Sequence, residues 1–158
     1  MDQPRQPHPR GYFMSRKINP VIRVLTISGI MIVSGFGLIL PIFAVFIVRN
    51  IEKGSVEVAG IAMAVYLVTK SLGQIPAAAI IDAIKGEKDD FWAIFLGSLV
   101  YSAVPILYIF IATPLELYLT QFIYGLSAAF VWPAWNAIFT RHIDRNHEGI
   151  EWGIYYTF

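Results

Sequence analysis

Four long apolar runs restrict what this sequence can fold into. They are residues 24–48, 58–81, 91–112 and 117–139, and Lys70 is the only charged residue within them. An α-helix needs about 20 apolar residues to cross the core of a bilayer. Because backbone polar groups in lipid must be hydrogen bonded within their own segment, each run is predicted to be a transmembrane helix rather than a strand.

Composition supports a membrane protein and excludes several other classes. Hydrophobic residues make up 56% of the chain and charged residues 15%, whereas soluble domains carry about 25% charged residues. The chain has no cysteine, which excludes disulfides, iron–sulfur clusters and thiol catalysis. The histidines lie in polar segments without a surrounding pattern of carboxylates, so we expect neither a metal site nor a cofactor.

Short connections arrange the predicted helices as an antiparallel bundle. The chain is therefore predicted to be an all-α membrane protein whose transmembrane domain covers residues 18–158, with a partial fifth helix from residue 149. Residues 1–17 are polar, basic and rich in proline, and we expect them to form a disordered tail.

The distribution of lysine and arginine predicts the orientation of the bundle. Nine of these residues lie in the tail and in the connections that follow the second and fourth helices, whereas Arg49 and Lys53 lie on the opposite side. Cytoplasmic loops carry the excess of positive residues. The N-terminus and the charged connection of residues 82–90 are therefore predicted to face the cytoplasm, in an integral protein of the plasma membrane.

Two of the helices carry a face of small and polar residues. On the second helix this face holds Met63, Tyr66, Lys70, Gly73, Gln74 and Ala77, and on the fourth it holds Gln121, Gly125, Ala128, Trp132 and Asn136. The opposite face of the second helix, with Ile61, Val65, Val68, Leu72 and Ile75, suits lipid. Small residues at such spacing allow helices to approach closely, so we interpret Gly73 with Ala77 and Gly125 with Ala129 as packing positions.

Lys70 is the residue that membrane packing explains least. It lies near the middle of its apolar run, where insertion scales give a lysine a cost of about 2.5–3.5 kcal/mol. Two interpretations remain open: a lysine hydrogen bonded to neighbouring carbonyl groups, or a contact for a substrate or coupling ion. For the second, the candidates are Lys70, Gln74, Gln121 and Asn136, with the last two as polar partners of Lys70 if the two faces meet. No catalytic residue is predicted.

Three segments together resemble the first half of the major facilitator superfamily. They are "GFGLILPIF" in the first helix, "GQIPAAAIIDAIKGEK" at the end of the second and "QFIYGLSAAFVWPAWNAIF" in the fourth. In the family's loop between helices two and three, an aspartate is matched here by Asp82. Gly86 is displaced by one position from the family's glycine, and Ala78 and Ala83 replace a glycine and a basic residue.

The resemblance implies a fold, a function and a second set of residues. Family members have twelve helices in two halves and bind a small solute between the halves near the midplane. The resemblance implies that Asp82, Gly86 and Lys88 belong to a cytoplasmic gating loop. It also implies that a C-terminal half is missing, and we expect the chain to be the truncated N-terminal part of a transporter.

Transport of a small solute is thus the leading functional hypothesis. The alternative is a small helical membrane subunit or scaffold that acts by association; a dimeric four-helix exporter is disfavoured because the first helix has no acidic residue. We do not expect an enzyme, because no nucleophile–base or carboxylate cluster lies at membrane depth. The expected partners are the lipid bilayer, a small-molecule substrate and the missing half, and no nucleic acid.

Overall fold

The computed structural model describes residues 19–84, 88–144 and 148–157, and within these ranges the chain forms helices and short connections without a strand. The helices are α1 (Pro20–Asn50), α2 (Val56–Ala83), α3 (Lys88–Leu107), α4 (Pro114–His142) and α5 (Glu148–Thr157), with a single 3-10 turn at Tyr108–Phe110. The tail predicted to be disordered, residues 1–17, lies outside the described residues.

The all-α membrane class predicted from the sequence is confirmed. Four of the described helical segments are long and apolar enough to cross a membrane: Pro20–Asn50, Val56–Ala83, Lys88–Phe110 and Pro114–His142. Two contacts agree with an antiparallel arrangement. The Asn19 side chain donates to the carbonyl of His142 at 3.2 Å, and the Glu52 amide donates to the carbonyl of Ala112 at 2.8 Å. The start of α1 therefore lies beside the end of α4.

Three helices, α1, α2 and α4, begin earlier than their apolar runs predicted, and each begins at a capping residue. The side chain of Asn19 accepts a hydrogen bond from the Val21 amide at the start of α1. Ser55 caps α2 in the same way, and Thr113 and Glu116 form a reciprocal capping box on α4. Caps satisfy amide groups that have no partner inside the helix. The helices therefore extend beyond their hydrophobic segments into polar flanks.

The third helix differs most from its predicted range of 91–112. It begins at Lys88 and ends at Leu107, two residues after Pro105. Asp89 and Asp90 thus lie in its first turn, where the positive end of the helix dipole favours carboxylates. The connection predicted over residues 82–90 is shorter as a result, and Asp82 lies in the last turn of α2.

Helix α4 is the centre of the bundle and packs mainly against α2 and α3. Its closest approach to α2 is at Gly125, where an added Cβ would lie 2.6 Å from the Tyr66 carbonyl oxygen and 3.2 Å from the Lys70 amide nitrogen. At Gly73 an added Cβ would lie 3.0 Å from the Ala129 side chain. These contacts confirm the packing interpretation of both glycines.

The two faces predicted for α2 are also observed. Val68, Leu72 and Ile75 are exposed on the surface of the bundle, as expected for a face in contact with lipid. Ala77 is buried on the opposite face. Lys70 lies on the same face of α2 as Ala77 and therefore points toward the interior of the bundle, where the site described next is found.

Candidate functional site

Lys70 lies in the middle of α2, and its ammonium group meets an aromatic ring of α4. The Lys70 Nζ atom is 5.5 Å from the centroid of the Trp132 ring. This is a cation–π distance, at which the ring quadrupole attracts the cation. The contact stabilises a charged lysine at membrane depth without neutralising it, because the ring carries no net charge.

A cavity of about 470 Å³ surrounds this pair. Besides Lys70 and Trp132, its lining contains Gly29, Ile30, Val33, Gln74, Asn136, Tyr155 and Tyr156. The volume falls within the range of about 300–1,000 Å³ that is common for small-molecule sites. Apolar walls, one cation and two amide side chains make this half-open cavity a candidate solute-binding site.

Gly29 brings α1 and α5 together at the edge of this cavity. A Cβ at Gly29 would lie 3.3 Å from the Tyr155 ring and 3.6 Å from the Trp135 ring. The glycine therefore allows the Tyr155 ring to pack against the α1 backbone, and Tyr155 and Tyr156 form a wall of the cavity. Neither tyrosine was a candidate from the sequence, because the small and polar faces that indicated candidates were found on the second and fourth helices.

A second, wider cavity of about 720 Å³ adjoins the first. The two cavities share Gln74 and Asn136, and the wider one continues along α2 as far as Asp82. Its lining includes Ile75 of the lipid-facing surface, so it is an open groove along α2 rather than an enclosed path.

Of the four sequence candidates for substrate contact, three line the Lys70 cavity and one does not. Gln74 and Asn136 lie with Lys70, whereas Gln121 donates a hydrogen bond of 2.8 Å to the Tyr108 hydroxyl. Fifteen residues separate Gln121 from Asn136 on α4, which is about 22 Å along a helix. The expectation that both would be partners of Lys70 is therefore wrong for Gln121.

Gln121 belongs instead to an aromatic cluster that the sequence analysis missed. The Tyr124 ring centroid is 4.6 Å from that of Tyr66 and 4.4 Å from that of Tyr101. With Phe36 and Tyr108 these rings line a cavity of about 140 Å³. The cluster joins residues from four helices, and no single helix contains enough of it to form a pattern in the sequence.

The two described gating-loop candidates, Asp82 and Lys88, are not in the lining of the Lys70 cavity. Asp82 is exposed and lines the wider cavity, and Lys88 is exposed at the first residue of α3. Gly86 lies outside the described residues. Their role in a gate remains a prediction.

An ion pair between α3 and α4 is a further feature that the sequence analysis did not identify. The Arg141 guanidinium contacts the Asp90 carboxylate, which is fully buried, while the Arg141 side chain is 37% exposed. A second buried carboxylate, Glu151 of α5, accepts a hydrogen bond from the Asp144 amide at 3.3 Å. These contacts connect α3, α4 and α5 at one end of the bundle. No group of histidine and carboxylate residues suited to a metal ion occurs among the residues that the structure describes.

Comparison with known proteins gives one match. The model of the Major Facilitator Superfamily matches residues 25–158, which include all four candidate membrane spans except the start of α1. No curated protein and no solved structure matches the chain. The family match covers all three cavities and the ion pair.

Proposed function

The chain belongs to the major facilitator superfamily, a family of membrane transporters, and we propose that it moves a small solute across the membrane with the Lys70 cavity as its binding site. The observation that carries this proposal is the position of Lys70. It lies midway along a membrane-spanning helix and lines a cavity together with the side-chain amides of Gln74 and Asn136. Ionisable residues at such depth are costly and commonly mark a substrate or ion pathway.

The same cavity supports the proposal that further helices complete the transport path. Lys70 and Gln74 are only half-buried within the described helices, although polar groups at membrane depth avoid lipid. A second helical half of the kind found in this family would supply an opposite wall. The cavity itself favours a transporter over a scaffold, because a scaffold has no need of a cavity lined by a lysine and two amides.

A metabolite comparison tests the proposed transport. Cells that express the chain together with the helices proposed to complete its transport path are compared with cells that express the same protein carrying Lys70→Met, and small molecules in the medium are quantified by mass spectrometry. We expect at least one solute to be depleted or enriched several-fold with the wild-type chain and not with Lys70→Met, at equal amounts in the membrane. Identical solute profiles for the wild-type chain, Lys70→Met and an empty vector would contradict the proposal.

We further propose that the N-terminus and the connection around residue 87 face the cytoplasm, which the asymmetry of lysine and arginine supports. Because the chain has no cysteine, single cysteines report topology without background. In intact cells a membrane-impermeant maleimide should label Glu52→Cys and spare Glu87→Cys. Labelling of Glu87→Cys alone would show that the orientation is the opposite of the one proposed.

A further inference from the structure

We propose that the solute taken by the Lys70 cavity is an organic anion, with a carboxylate-type head group and an apolar or aromatic body. This proposal rests on the transport function proposed above and adds the chemical class of the substrate. Charge, hydrogen bonding and shape at the cavity each support it.

The charge of the cavity is one-sided. Lys70 is the only lysine, arginine, aspartate or glutamate in the lining. The other lining residues are apolar residues, two amides and two tyrosines. Along α2 the nearest carboxylates are Asp82 and Glu57, twelve and thirteen residues away, or about 18–20 Å along a helix. Helix α1 contains no acidic residue.

The salt bridge found among the described residues joins Arg141 to Asp90 and does not involve Lys70. Glu116 lies in the first turn of α4, sixteen residues before Trp132, or about 24 Å. Glu151 accepts from the Asp144 amide. Among the described residues, Lys70 therefore has a ring beside it but no carboxylate, and a bound anion would supply the missing countercharge.

The hydrogen-bonding groups match a carboxylate better than they match a cation. The Lys70 ammonium group donates up to three hydrogen bonds, and the side-chain amides of Gln74 and Asn136 each contribute a donor as well. Hydrogen bonds between a charged donor and an anionic acceptor are stronger than neutral ones. A cation would be repelled by Lys70 at short range.

The remaining walls match an apolar body. Ile30 and Val33 of α1 face the cavity from one side, and Trp132, Tyr155 and Tyr156 present aromatic rings. Aromatic rings pack favourably against one another in offset or edge-to-face geometry. The cavity volume of about 470 Å³ leaves room for such a body beside the head group.

Three probes of similar size and different charge test the proposed class. Phenylacetate, its neutral amide phenylacetamide and the cation phenethylammonium are titrated by calorimetry into the wild-type chain in lipid nanodiscs. We expect phenylacetate to bind about tenfold or more tightly than either of the others, since a charge-assisted hydrogen bond is lost with the amide. We expect Lys70→Met to lose this preference and Lys70→Arg to retain most of it.

The matched control is Lys53→Asn, which removes one positive charge from the connection between α1 and α2. Lys53 has a left-handed backbone with φ of 55°, a conformation that asparagine tolerates. This variant should bind phenylacetate like the wild type, which excludes a nonspecific effect of net charge.

Each other outcome overturns the proposed class. Equal or tighter binding of phenylacetamide or phenethylammonium would leave the cavity as a solute site but contradict its preference for anions. Binding of phenylacetate that is unchanged in Lys70→Met would place the anion elsewhere. Binding of none of the three probes would contradict the proposed class of substrate, whereas the metabolite comparison would still decide whether the chain transports any solute.

Discussion

Substitution of Gly125 by valine is expected to reduce the stability of the bundle by about 1–3 kcal/mol, the usual cost of overpacking a filled interior. The first added atom would lie 2.6 Å from the Tyr66 carbonyl oxygen and 2.9 Å from the Thr69 side chain. A backbone oxygen cannot move without its helix, so α2 and α4 must separate. Thermal unfolding in detergent should show a midpoint several degrees lower.

Gly60→Ala is the control for this substitution. It lies in α2, and a Cβ at Gly60 meets nothing within 4 Å. Alanine in a helix is favoured over glycine by about 0.5–1 kcal/mol, so this change should leave the midpoint unchanged or raise it. Unfolding of Gly125→Val at the same temperature as Gly60→Ala would show that α2 and α4 do not approach closely at Gly125.

Substitution of Arg141 by methionine is the second change with a large expected effect. Removing one partner of a buried ion pair costs about 3–5 kcal/mol, because it leaves an uncompensated charge in the interior. Asp90 is fully buried, but Arg141 is partly exposed, so we expect a loss near the lower end of that range. The change in free energy is measured by unfolding in mixed detergent.

Two further variants make this prediction specific. Asp90→Asn should cost less than Arg141→Met, since the guanidinium group that it leaves behind is 37% exposed and can be hydrated. Arg49→Met removes the same kind of side chain from an exposed position at the end of α1 and should change stability by about 0.5 kcal/mol or less. Equal losses for Arg141→Met and Arg49→Met would show that the ion pair does not support the bundle.

The helices were predictable from the sequence because lipid restricts the backbone to few structures. Apolar length identified four spans, and the spacing of small residues identified Gly73 and Gly125 as contacts. Helix ends were displaced because they depend on single capping residues such as Ser55, which hydropathy does not detect. Hydropathy also missed the early start of α3 at Lys88, because its first turn contains the acidic residues Asp89 and Asp90, which the helix dipole favours there.

The candidate site was predictable only where its residues share one helix face. Lys70 and Gln74 lie one turn apart, and their proximity follows from helical geometry alone. Trp132 was placed on the correct face of α4, but its contact with Lys70 depends on the relative height of two helices. That height is set by the contact of Gly125 with α2, and it also places Gln121 beside Tyr108 rather than beside Lys70. Tertiary packing of this kind leaves no periodic signal in one sequence.

The proposed binding of a solute requires a water-accessible cavity at the depth of Lys70. Gln74 and Leu72 test it directly, because they lie two residues apart on α2, about 3 Å in depth, while Gln74 lines the cavity and Leu72 is 73% exposed on the lipid-facing surface. A charged, membrane-impermeant thiosulfonate is applied to each single-cysteine variant in liposomes. We predict rapid modification of Gln74→Cys and none of Leu72→Cys on the same timescale. Absence of modification at position 74, or equal rates at both positions, would contradict a hydrated cavity around Lys70.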